Sequence, residues 1–341
     1  MYHAKRTIQL LTLLCVTLCF CIQAQAKPKY VFKVASIAPE GSVWTKRFHD
    51  FAAEVTAKSD GEVGFKVYSG GIMGDDRAVY RKIRVGQLNG GGFTMGGIAN
   101  VVPDFRVMGV PFLFRSYEEV DHVKKGLMPS FHKAFGKQGL ELIAMTEVGF
   151  VYSMSTIPVS TLNGLKKSKV WAPENDPVSA TYFKTLGITP LPLTIPDVLT
   201  SLQTGMVETV FNSLYGAIVL QWFTKTKYIS DIPFGYAYGA MLLDSKKFDR
   251  LPKEYQVVIK ETAAKHFELL ITDTRISNRE SRQVLQDNGV SFIPPNPEDV
   301  IVLNSKHVET MQLLQGTAFS REIFQTTTKL LNEYRNQQDT K

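Results

Sequence analysis

The sequence has 341 residues, 44% of them hydrophobic and 21% charged, with a formal net charge of +7. That length allows roughly two domains, and no dense Lys/Arg stripe interleaved with aromatics appears, which argues against a nucleic-acid partner. All three cysteines, Cys15, Cys19 and Cys21, fall within the first 26 residues, so the rest of the chain can form no disulfide and offers no thiolate nucleophile or metal ligand.

Those first 26 residues read as a secretory leader. Lys5 and Arg6 form a positive start, residues 8–22 are apolar, and Ala24-Gln25-Ala26 is a small-x-small cleavage site. The apolar run is short for a membrane-spanning helix, and no cysteine follows the small residue that a lipoprotein would need. Cleavage after Ala26 gives a periplasmic chain starting at Lys27, and loss of Lys5 and Arg6 takes the net charge from +7 to +5. A cysteine-free chain suits an oxidising compartment.

The mature chain opens with a β-rich apolar run over 30–38. Trp44, Phe48, Phe51 and Val55 then recur at helical spacing, and Val63, Phe65 and Val67 alternate as in a strand. Asp75 is placed to cap the next helix, which carries Val79 and Ile83 on its inner side. The glycines at 90, 91, 92, 96 and 97 surround Phe93-Thr94-Met95. They do not spell the dinucleotide fingerprint, and they follow a helix where that motif opens one. They fit a strand whose backbone closely approaches a ligand or another segment. Residues 107–114 read as an apolar strand, 140–145 and 150–154 as two more, and the polar stretch 158–169 as a crossing between lobes. The alternation then repeats: strand at 169–172, helix starting at Asp176-Pro177, strand at 188–193, short helix from Pro196 closed by Gly205, strand at 207–211. A helix without internal Gly or Pro runs from Pro252 to about Gln286, followed by a strand at 290–293 and a helical tail from Pro297. Alternating elements predict an α/β fold with largely parallel sheets.

Chemistry is sparse. Zinc-protease, serine-hydrolase and Walker motifs are missing. His49, His122, His132, His266 and His307 are scattered without ligand spacing, and the pairs Asp75-Asp76 and Glu118-Glu119 sit near helix starts, where they offset the dipole. No metal or cofactor is expected. A periplasmic α/β enzyme assembled from distant carboxylates stays open as a different-class alternative, as does a scaffold that binds another protein.

Several motifs, in order, resemble the DctP-like family of TRAP transporter binding proteins. They are Gly41-Ser42 with Trp44, the loop Gly70 to Asp76, Gly86-Gln87-Leu88, Pro111-Phe112-Leu113-Phe114, Asn163-Gly164-Leu165-Lys166 with Lys169 to Pro173, and Thr194 to Glu208. The resemblance covers nearly the whole mature chain. It implies a two-lobed α/β periplasmic binding protein with a central interlobe cleft and a long helix spanning both lobes. It also implies a solute-binding subunit, not an enzyme, that closes on a small-molecule ligand and delivers it to small and large TRAP membrane subunits. An accessory periplasmic protein is a further candidate partner. The expected domains are the leader at 1–26, lobe 1 over 27–150 with a return segment near 236–270, and lobe 2 over 151–235 with C-terminal elements. The long connecting helix over 252–286 and a helical region over 297–341 complete them.

The departures from the family pattern shape the expected ligand. Where the family usually places two carboxylate-binding Arg residues, this chain has Val151, after Gly149-Phe150, and Trp171. The family's Glu-Asn pair appears as Phe211-Asn212. The expected ligand contacts are Trp171, Asn212, Phe211, Val151, Phe150, Phe93, Met95, Met73, Tyr215 and Trp222. An apolar, aromatic wall predicts a neutral or hydrophobic ligand, because an unpaired buried carboxylate is costly. The alternative is an organic-acid-binding subunit in which Lys167 or Lys169 replaces the Arg, without its bidentate fork.

Overall fold

The structure, a computed structural model, describes residues 27–339; the expected leader over 1–26 lies outside the described residues. Strand β1 (Tyr30–Ser36) leads through helix α1 (Val43–Lys58) to β2 (Val63–Tyr68), and β1 pairs with β2 in parallel register. Ser42 caps α1 by accepting from the Thr45 N–H, and Asp75 caps α2 (Asp76–Arg84) by accepting from the Ala78 N–H. Strand β3 (Gly90–Thr94) lies on the other side of β1. A Cβ at Gly91 would stand 2.7 Å from the Ala35 carbonyl oxygen, and one at Gly90 2.4 Å from that of Leu242. Glycine is therefore required for this strand to enter the sheet. The short helix α3 (Met95–Ile98) follows directly.

Residues 103–109 form a 3₁₀ helix, Pro103–Gly109, in place of the expected strand. Phe105, Val107, Met108 and Val110 are all fully buried, and a run buried on every side has no periodicity to separate strand from helix. Phe112 then adopts a left-handed φ of 58°, which ends any extended path. Helix α4 (Tyr117–Lys137) packs over the lobe.

The two long strands set the architecture. Strand β4 (Leu140–Ser155) is one element of 16 residues, where the sequence reads as two short strands. Strand β8 (Tyr228–Asp244), 17 residues long, falls where the sequence predicts no element. They pair antiparallel along their whole length, from Leu140 opposite Asp244 to Ser155 opposite Tyr228. At one end β8 pairs with β3, and at the other β4 pairs with β7 (Thr209–Asn212), giving the order β2-β1-β3-β8-β4-β7 with β9 (Ser291–Ile293) on β8. The sheet is mixed, not largely parallel as expected, because both ribbons must run through the two lobes in opposite directions. Register shifts cluster between Glu147 and Met154, and Gly149 there has φ +110°, so the ribbon bends where it leaves the first lobe.

Between β4 and β7 lie α5 (Leu162–Lys167), β5 (Trp171–Pro173), α6 (Pro177–Thr185), β6 (Leu191–Leu193) and α7 (Val198–Gln203), with β5 and β6 forming a small parallel sheet. Helix α8 (Leu214–Val219) follows β7, and α9 (Ser245–Asp249) follows β8. Helix α10 (Lys253–Asp287) has 35 residues, about 52 Å at 1.5 Å each. Ile259, Ala263, Phe267 and Leu270 join the first-lobe core with Phe32 and Phe51, while Leu285 joins a second-lobe core with Trp171 and Trp222. The expected long helix thus spans both lobes. Helices α11 (Pro297–Leu314) and α12 (Arg321–Asp339) close the chain, packing on α6 and α4.

Where α10 passes the bend, Arg275 meets Glu147. Its Nε and Nη2 donate to the two carboxylate oxygens at 2.9 and 2.8 Å, and Nη1 and Nη2 donate to both oxygens of Asp121 at 2.8 Å. Tyr236 Oη adds a 2.8 Å bond to Glu147 Oε2, and the guanidinium lies 4.3 Å from the Tyr117 ring centre. Glu147 is 1% exposed, so removal of Arg275 strands a buried carboxylate. Arg275→Ala is expected to lower the unfolding free energy by roughly 3 kcal/mol, read as a shift of the urea midpoint. Arg275→Lys is expected to recover only part of it, since a lysine cannot serve both carboxylates with a planar fork.

Candidate functional site

A cavity of about 210 Å³ opens between the lobes. The first lobe supplies Ile37, the start of α2 (Asp75, Asp76, Arg77), Thr94 to Gly97 and Pro111. The second supplies Trp171, Pro173, Glu174, Asp176, Ser179, Phe183, Leu193 to Pro196, Phe211, Asn212 and Trp222, with Val148, Val151 and residues 234–238 of the long strands as the floor. A second chamber of about 150 Å³ adjoins it, bordered by Phe93, Asn212 and other residues of β1, α1, β3, α8 and α10.

Of the expected contacts, Trp171, Phe211, Asn212, Val151, Met95 and Trp222 border the main chamber, and Phe93 and Asn212 border the second. Phe150, Met73 and Tyr215 border neither. Phe150 packs on Tyr117 and Tyr236 with ring centres 4.8 and 5.9 Å away. Met73 offers its carbonyl to Lys82 Nζ at 2.8 Å. Tyr215 is a tie between lobes: its hydroxyl accepts from the Val43 N–H at 2.9 Å and its ring lies 5.1 Å from that of Trp44. Lys167 and Lys169 are exposed and outside the cleft, and Lys169 Nζ donates to the Gly205 carbonyl at 2.8 Å.

The aromatic wall is built by packing. Trp171 is 3% exposed, donates Nε1–H to the Leu193 carbonyl at 3.1 Å, and meets Trp222 edge-on at 5.5 Å. Phe211 contacts Phe183 and Phe234 at 5.3 and 4.6 Å.

Charge enters from positions that the sequence analysis does not select as contacts. Asp76 does more than offset a helix dipole. It is buried, and its Oδ2 accepts from the Thr94 N–H at 3.0 Å and from the Thr94 hydroxyl at 2.5 Å, while Oδ1 has no partner. Burial pushes its pKa up to about 6, with the Asp75 charge adding to the rise and the Thr94 bonds opposing it. Arg77 is the one cationic side chain among the described residues that border the main chamber. It reaches across the cleft, with Nη1 3.5 Å from Glu174 Oε2 and Nη2 donating to the Glu174 carbonyl at 3.2 Å; the Asn175 amide oxygen faces the same guanidinium. Asp176 caps α6 through the Val178 and Ser179 N–H groups. The available sequence signal was the Asp75 cap, which fixes the next two residues in the first turn of a helix that ends at the cleft.

Among the described residues no group of three or more His, Cys, Asp or Glu is placed to hold a metal ion. Nor is any helix there long and apolar enough to cross a membrane.

Two α/β lobes joined by long strands and one spanning helix, with a solute-sized cleft between them, define a periplasmic-type binding protein. Residues 34–311 match the DctP family, bacterial extracellular solute-binding proteins of family 7, and the chain belongs to that family. It is a family of binding proteins, not of enzymes. The 2,3-diketo-L-gulonate-binding periplasmic protein YiaO of Escherichia coli is 26% identical over 64% of this chain and 66% of its own. The sugar acid binding protein DctPAm of Advenella mimigardefordensis, solved with galactonate, superposes with a TM-score of 0.84 at 22% identity, over 90% of this chain and 99% of that one. A TRAP periplasmic solute-binding protein of Desulfovibrio salexigens, solved with orotic acid, gives 0.82 at 20% identity over 89% and 98%.

The raised Asp76 pKa has a defined effect on stability. The native state holds this proton more tightly than the unfolded chain, in which an Asp has its ordinary pKa of 3.8. Its contribution is therefore fully present below about pH 4 and falls as pH rises through about 6, by at most roughly 3 kcal/mol. Asp76→Asn is expected to remove this component. The difference in unfolding free energy between variant and wild type then changes in the variant's favour from pH 4 to pH 7, measured by denaturant titration at each pH.

Proposed function

We propose that this chain is the extracytoplasmic capture subunit of a TRAP transporter, exported by its leader, and that its cleft takes a hydroxylated organic acid. The observation that carries the charge of the ligand is Arg77, a cation at the cleft wall whose carboxylate partner, Glu174, is half-exposed and displaceable. A ligand carboxylate in a closing cleft needs such a partner, since burying it unpaired is costly. Acceptors stand near Arg77: the side chains of Asp76, Glu174 and Ser179 border the same chamber and suit ligand hydroxyls. The ligands named for the relatives, 2,3-diketo-L-gulonate, galactonate and orotic acid, support an acid over the neutral or hydrophobic solute expected from Trp171 and Val151. The cation in this reading is Arg77; Lys167 and Lys169 lie outside the cleft. Trp171, Phe211 and Asn212 shape the opposite wall. The partners in transport are the TRAP membrane subunits that receive the solute.

Calorimetry with galactonate and its uncharged lactone tests the reading. The acid is expected to bind and the lactone to bind far more weakly. Arg77→Ala is expected to weaken the acid roughly 10- to 100-fold, the range for a hydrogen bond to a charged group. Equal affinity for acid and lactone, or an unchanged Arg77→Ala, overturns it.

A further inference from the structure

The second chamber differs in kind from the first. Among the described residues, no charged side chain borders it; its walls include Trp44, Phe48, Val67, Leu220, Met241 and Phe267. Its polar side chains are mostly engaged already. Trp44 Nε1–H donates to the Glu147 carbonyl at 2.8 Å, Ser36 Oγ accepts from the Ala38 N–H at 3.1 Å, and Thr45 Oγ1 donates to the Pro39 carbonyl at 3.1 Å. Thr94 Oγ1 donates to Asp76 at 2.5 Å. A polar group entering here would give up its water for little in return. The chamber nonetheless adjoins the cleft directly, with Ile37, Thr94, Val148, Ile195 and Asn212 bordering both. It also spans the lobes, with Leu220 coming from the end of α8 and Phe48 and Val67 from the first lobe. At about 150 Å³ it is the size of an apolar cavity that stays dry and holds a benzene-sized guest.

We propose that the ligand is bipartite. Its carboxylate and hydroxyls occupy the main chamber, and an uncharged aryl or short branched alkyl substituent on the same molecule fills the second. This rests on the reading of the main chamber as an acid site. It adds a specificity pocket in which Val67, Phe48 and Leu220 measure the substituent. Full burial of a phenyl-sized group is worth roughly 10- to 100-fold in affinity, and each added methylene roughly fourfold.

The test is calorimetry on the mature protein with lactate, 2-hydroxyvalerate and 3-phenyllactate, with galactonate as the acid reference. The expected result is that phenyllactate binds roughly 10- to 100-fold more tightly than lactate, with a more negative heat-capacity change that marks burial of apolar surface. Val67→Phe, which fills the chamber, is expected to bring the phenyllactate-to-lactate ratio close to one. Leu220→Ala, which enlarges it, is expected to shift preference toward a bulkier aryl group. Thermal melts establish that both variants are folded, and the Leu220→Ala preference reads the chamber even if Val67→Phe does not fold. If phenyllactate and lactate bind with the same affinity while galactonate binds, the proposal is overturned and the acid site stands. If no acid binds, the acid reading falls and this proposal with it.

Discussion

The contact between Arg275 and Glu147 holds the two halves of the architecture in register. A carboxylate as deeply buried as Glu147 is tolerable only when its oxygens are supplied with donors, and the guanidinium and Tyr236 supply them. Because Arg275 sits on the spanning helix and Glu147 on the crossing strand, the pair fixes where one element passes the other. Gly149 follows two residues later, in a conformation that only glycine adopts easily. A Cβ there would stand 2.6 Å from Asn278 Nδ2. Asn278 in turn donates to the Val148 carbonyl at 2.9 Å and accepts from the Tyr215 N–H at 3.0 Å. The first lobe, the middle of α10 and the root of β4 are thereby tied together up to the residue where the strand changes direction.

The cleft shows how one scaffold carries recognition on different walls. Trp171 and Val151 leave the second-lobe wall and the floor without the cations that the family resemblance placed there, and the wall is sealed by ring-on-ring packing. Among the described residues, the bordering cation comes instead from the opposite lobe, on the first turn of α2, where it spans the gap to Glu174. That charge therefore bridges the two lobes at the mouth of helix α2.

Much of this was legible in the sequence wherever local chemistry is decisive. The opening strand, helix and strand carry clean periodicity. Asp75 and Asp176 announce their helix starts through capping, and the long helix lacks any breaker between Pro252 and Asn288. The long ribbon was not legible. Strand β8 contains Pro233, Gly235 and Gly239 and is buried on both faces near Ala240 to Leu243, so it shows neither alternation nor boundaries. Strand β4 hides its unity behind the bend at Gly149. Residues 107–114 are apolar throughout, which erases the distinction between strand and helix. In the cleft, aromatic residues were identifiable by family position, whereas Asp76 and Arg77 depend on how a loop presents a helix end to the opposite lobe, a long-range fact. The Tyr215 hydroxyl joins α8 to α1, a contact between segments far apart in the chain.

The inward face of α10 changes character along its length. Through the first lobe it presents Ile259, Ala263, Phe267 and Leu270; past the bend it presents Thr274, Asn278 and Ser281 before Leu285 restores an apolar contact. Hydroxyls and an amide accept water readily, so this middle section can be rewetted with little loss of buried hydrocarbon. Burial of hydrocarbon along this helix is therefore concentrated at its two ends, with a polar stretch between them.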